Sequence, residues 1–204
     1  SDGLTAGQRM FNFKQLDSKV VHAKYSADGM SILGVNSDSS VAIWDNQGSL
    51  LCHIRDTQQV LNELFAVKSS ERLWTWNANH KNQTSKSMSM YSFTGERLVS
   101  INAWNGSVTD DHLLHYSSLH KVYAVVDQNQ KTQIITDQGE QLQELDLEFN
   151  CTGAKFTGNG SYLATLTDSG RIFLWYFKSE EGRWSMYSQF DAHDGAVWSC
   201  DFSN

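Results

Sequence analysis

The densest run of chemistry-bearing side chains is "DDHLLH", Asp110 to His115. Carboxylates and imidazoles are metal ligands, so the run raises the question of a metal centre. The surrounding residues prefer strands, and side chains on a strand alternate between its two faces. His112 and His115 are three apart and would point to opposite sides, so no ion is expected between them. "TGNGSY", Thr157 to Tyr162, sets two glycines around Asn159 but lacks the third glycine and the following helix of a dinucleotide site, and reads as a turn. Neither a P-loop nor a nucleophile elbow occurs, and no spacing of Ser, His and Asp marks a triad. The expectation is a non-enzymatic chain with no cofactor and no metal.

Composition narrows the classes further. The 204 residues are 40% hydrophobic and include seven tryptophans, enough for a substantial core. The net charge of −7 and the absence of a basic run argue against nucleic acid as a partner. No apolar run has the ~18–20 residues of a membrane span, and the first thirty residues hold no signal-peptide core. Cys52, Cys151 and Cys200 are odd in number and far apart, which fits neither a disulfide framework nor a metal cage. A cytoplasmic protein without membrane contact is therefore expected. The sequons at Asn82, Asn105, Asn150 and Asn159 read as chance matches in a Ser/Thr/Asn-rich chain.

The elements that position these residues repeat. Similar strand-and-turn segments place anchors at Tyr25, Val67, Tyr116, Phe156 and Phe202, at intervals of about 40–50 residues. The first interval reads "VVHAKYS", "SILGV", "VAIWD" and "LLCHIRD", separated by the turns "ADG", "NSDSS" and "NQGS". The fourth repeats this order as "GAKFT", "SYLATLT", "IFLWYF" and "WSMYSQF". Tyr91 and Ile135 stand near the position of Trp44 and Trp175 in the two blurred middle copies. Strand formers fill the runs and Gly, Asn, Asp and Ser fill the gaps, so four short strands per unit are expected.

Trp44-Asp45 after Asp38, Trp175 after Asp168, and His193 before the terminal "AVWSCDFS" resemble the signature of WD-repeat β-propellers. The resemblance implies an all-β fold of four-stranded antiparallel blades at residues 20–57, 60–104, 111–148 and 152–191, with flanking strands at 9–17 and 196–203. It also implies that Asp, Trp, a second-strand Ser or Thr and a preceding His form a buried hydrogen-bonded set that holds each blade together, with Ser37 close to it in the first. Four blades and two spare strands fall short of a seven-blade ring of roughly 280–315 residues. The chain is expected to be part of a larger ring, with open strand edges that invite self-association.

Two long connections are the expected binding loops: "NANHKNQTSK", with His80 and Lys81, and "AWNGSVTDD", with Trp104, Asp110 and Asp111. Loops on a rigid scaffold collect binding residues, and a loop tryptophan suits an interface. The resemblance implies a protein-interaction scaffold that meets its partners through this loop rim. The alternative is a sensor region of a larger signalling protein with an ATPase switch elsewhere.

Overall fold

A computed structural model describes residues 17–26, 29–38, 40–55, 61–66, 72–78, 86–103 and 113–203. Among them, sixteen strands form four antiparallel sheets, each a meander in chain order. The first sheet holds β1 (Val20–Tyr25), β2 (Ser31–Asn36), β3 (Val41–Asp45) and β4 (Leu50–Ile54). The second holds β5 (Leu61–Ala66), β6 (Arg72–Ala78), β7 (Lys86–Ser92) and β8 (Arg97–Ala103). The third holds β9 (Leu114–Ser117), β10 (Val122–Val126), β11 (Thr132–Thr136) and β12 (Gln141–Leu145). The fourth holds β13 (Cys151–Phe156), β14 (Tyr162–Thr167), β15 (Arg171–Lys178) and β16 (Arg183–Asp191). No sheet closes on itself among the described residues.

Register shows how closely the four units match. In every sheet the ladder between the third and fourth strands slips at the same place: before Trp44, Tyr91, Ile135 and Trp175. Across the second and third strands these residues oppose Ile32, Leu73, Tyr123 and Leu163. The middle copies that are blurred in sequence are thus equivalent in geometry. A bulge adds one residue and increases the local twist, so its recurrence gives all four sheets the same bend.

The sheets stack through alternate residues. Leu33, Val35, Val41 and Ile43 of the first sheet meet Leu73 and Tyr91 of the second. A larger core joins the second, third and fourth sheets, with Trp74 edge-on to Tyr123 at 5.3 Å between ring centroids. In each junction the residue at the tryptophan position faces the preceding sheet. The first strands of the third and fourth units, β9 and β13, approach one another, while β5 of the second unit meets β2 of the first.

The expected strand at 196–203 forms no ladder among the described residues. The segment still lies against the fourth sheet, where Val197 joins Ala164, Leu166 and Ile172 in a third apolar cluster. Val197 donates its amide to Thr167 O at 3.0 Å, and Cys151, the first residue of β13, donates to Gln130 O in the turn between β10 and β11 at 2.8 Å. Gly170 makes the crossing possible: its φ is +89°, and an added Cβ would lie 2.0 Å from His193 O. The other expected flanking strand, 9–17, lies outside the described residues except for Asp17.

Candidate functional site: the cleft between the third and fourth sheets

The signature residues divide into different local arrangements. In the fourth sheet Trp175 donates its indole N–H to Thr165 Oγ1 at 3.0 Å, across the second and third strands. Asp168 accepts from Asn150 Nδ2 at 2.9 Å, so an asparagine stands before the first strand where a histidine is expected. His193 is exposed and donates its backbone amide to Gly170 O. In the first sheet the position equivalent to Thr165 is Gly34, and the Trp44 ring lies so close that a Cβ there would meet it at 2.6 Å. Asp45 only secures the next turn, accepting from the amides of Gln47 and Ser49.

Asp38 belongs to a set that spacing did not reveal. Ser40 donates its hydroxyl to Asp38 Oδ1 at 2.7 Å and accepts from Asn36 Nδ2 at 2.7 Å, while His53 Nε2 lies 3.0 Å from the same hydroxyl oxygen. The hydroxyl and amide of Ser40 hold the Asp38 carboxyl below its ordinary value. Ser37 is outside the set; its amide bonds Lys19 O. Serine, histidine and aspartate therefore meet here, but in the wrong order for a nucleophile. The Asp38 carboxylate binds the serine, whereas a triad needs it on the histidine. Arg55 donates to His53 Nδ1 at 3.3 Å, which leaves the imidazole proton on Nε2 facing Ser40. An Nε2 that carries the proton cannot take one from Ser40.

The third sheet replaces the polar pair by Val125 and Ile135, and Asp127 takes the turn-aspartate role. Asp127 accepts from the amides of Asn129 and Lys131 and from Gln133 Nε2, and Gln133 continues to Glu144 and Gln141. These links join β11 to β12, just before the connection that runs into β13.

That connection walls a cleft of about 430 Å³ between the third and fourth sheets. Its floor is Leu147, Phe149 and Phe173; Met186 and Gln189 of β16 form the far wall; Asp146 and Glu148 stand on the near lip. The residues Asp146 to Phe149 alternate out and in, so both carboxylates are exposed while Leu147 is buried and Phe149 half-buried. Arg171, at the start of β15, pairs with Asp191 at 2.7 Å and lies over the Phe149 ring at 5.3 Å. Lys131 reaches the same connection from behind and donates to Leu147 O at 3.0 Å. Asp146 and Glu148 form no ion pair among the described residues. The cleft therefore combines an apolar floor, a neutralised guanidinium and two available negative charges.

The loop candidates His80, Lys81, Trp104, Asp110 and Asp111 lie outside the described residues, as does His112. Their stems are visible. The paired residues Ala78 and Lys86 hold the ends of the first loop in the β6–β7 ladder. Asn102, two residues before Trp104, accepts from Gln128 N in the turn between β10 and β11. The cleft uses one of these two kinds of connection one unit later, the link into the fourth unit's first strand, set against side chains of β15 and β16. Its residues were not among the sequence candidates. The signal was the alternation in "DLEF", Asp146 to Phe149. His115, from the candidate metal run, accepts from Phe156 N through Nδ1 and packs its ring on Phe156. No cluster of three metal-ligating side chains occurs among the described residues.

Neither a protein-family model nor a curated protein matches the sequence. Solved structures do match in fold, 1053 chains in number, so the architecture is a recurrent one. One is the crystal structure of the computationally designed Ika8 protein, at a TM-score of 0.58 and 15% identity. The match covers 91% of this chain and 53% of that one, so the chain spans about half the length of Ika8. At this identity the likeness concerns the fold alone.

Proposed function

We propose that the chain is a section of a WD-repeat β-propeller and serves as a non-enzymatic protein-interaction scaffold. The propeller reading is supported by the bulge repeated at the tryptophan position, by the approach of β9 and β13, and by the segment 196–203 lying against the fourth sheet. Tyr162, Tyr176 and Tyr187 cluster on the same outward side of the fourth sheet, where a further blade would cover them. Radial repetition of this kind protects strand edges by placing sheets side by side.

The scaffold reading rests on one observation: an open cleft with an apolar floor and a charged lip, walled by the fourth sheet and the short connection from β12 to β13. Clefts that join apolar lining to a few placed polar groups are binding sites by their physical character. Met186→Glu tests it, because Met186 is 46% exposed and can be changed without opening the core. A partner captured by the wild-type chain should be lost from the variant while the unfolding temperature is retained. Equal capture by both proteins would remove the cleft from the function.

A further inference from the structure

Resting on the scaffold reading, we infer that the cleft receives an extended segment of a protein partner in which a lysine or arginine lies beside a bulky apolar side chain. Charge complementarity selects the cation. Asp146 and Glu148 are both exposed, on either side of the buried Leu147 in the short connection. Among the described residues the positive group lining the cleft is Arg171, which is already matched by Asp191 and by the Phe149 ring. Lys131 is turned to the Leu147 carbonyl on the other side of the connection. An incoming ammonium or guanidinium thus meets uncompensated negative charge, and an incoming phosphate or carboxylate meets repulsion.

Floor and wall select the neighbouring side chain. Leu147 and Phe173 are buried beneath the opening, and Met186, whose flexible thioether adapts to varied shapes, stands exposed on the wall. The Arg171 guanidinium over Phe149 shows that this aromatic surface accepts a flat cation. A volume of about 430 Å³ suits side chains, and lies within the ~300–1,000 Å³ of small-ligand sites. An extended segment with alternating side chains would set its apolar group on the floor and its cation at the lip.

Fluorescein-labelled peptides and the full 204-residue chain provide the test, read by anisotropy at low and moderate salt. Four probes are compared: an Arg-Leu-Lys-Phe core flanked by Gly and Ser, the same core with Glu replacing both cations, the same core with Ser replacing both apolar residues, and a scrambled acidic control. Saturable binding is expected for the first alone. The double substitution Asp146→Asn with Glu148→Gln should weaken it about five- to tenfold and flatten its salt dependence, since each exposed pair contributes modestly. Met186→Ala should weaken it without changing that salt dependence.

No saturable binding of the first peptide, or binding unmoved by both sets of substitutions, overturns the inference. So does equal binding of the Ser-replaced peptide, which would mean charge attraction alone. The two readings fail separately. Capture of a partner that is sensitive to Met186→Glu but indifferent to Asp146→Asn with Glu148→Gln keeps the scaffold and removes the cationic ligand.

Discussion

Thr165→Val isolates the hydrogen bond on which the fourth sheet's signature depends. Thr165 is fully buried and Trp175 is 5% exposed, and the indole N–H reaches the threonine hydroxyl at 3.0 Å. Valine keeps the branched shape and the strand preference and removes only the acceptor. The cost is then that of a buried donor without a partner, about 1–3 kcal/mol. Trp74 and Trp184 hold buried indole nitrogens with no hydrogen-bond partner among the described residues. The fold tolerates that condition, which points to the lower half of the range, about 1–2 kcal/mol. In a chain of this size each kcal/mol lowers Tm by ~2–4 °C, so a fall of roughly 2–8 °C is expected. Urea unfolding followed by tryptophan fluorescence measures it directly, with Thr165→Ser as the control that restores the acceptor but loses a methyl group. Stability of Thr165→Val within about 0.3 kcal/mol of wild type would refute the view that this bond holds the sheet.

Gly170→Ala should destabilise the chain by more than about 2 kcal/mol, because it adds left-handed strain and a clash with His193 O. Limited proteolysis should then cut first within residues 192–203, as the terminal segment lifts from the fourth sheet. The Cys151 thiol is fully buried and pushed up to about 11, so a thiol reagent at pH 8 should label it only after unfolding. Cys200, which is partly exposed, should react first among the three cysteines. His120 packs against Phe177 and Trp184, and burial lowers its affinity for a proton below the ordinary value of 6.5. The folded state then binds fewer protons than the unfolded chain, so this contribution is fully present above pH 6.5 and is lost as pH falls from there towards the folded-state value. Thermal unfolding at pH 7.5 and 5 should show the loss, and His120→Phe should reduce it.

The strand-and-turn order was legible in the sequence because its causes are local. Alternating apolar residues specify strands, and glycines such as Gly48, Gly95 and Gly139 take the positive φ that the turns between third and fourth strands require. The equivalence of Trp44, Tyr91, Ile135 and Trp175 was visible as spacing, and the common bulge gives it a geometric meaning. The polar sets were less legible. Whether Asp38 meets Ser37 or Ser40, and whether its histidine precedes the first strand or comes from β4 as His53, depends on which side chains share a face after the sheet has formed.

The cleft was decided by tertiary structure. Leu147, Phe149, Arg171, Phe173 and Met186 belong to three separate stretches of chain, and no local pattern joins them. They converge because the third and fourth sheets pack face to face, and the short connection from β12 to β13 must pass over that junction. By itself the sequence determined that strands would form and that connections would carry the exposed polar groups. Packing decided which connection meets which strand, because contacts between sheets depend on the relative placement of surfaces that distant residues build.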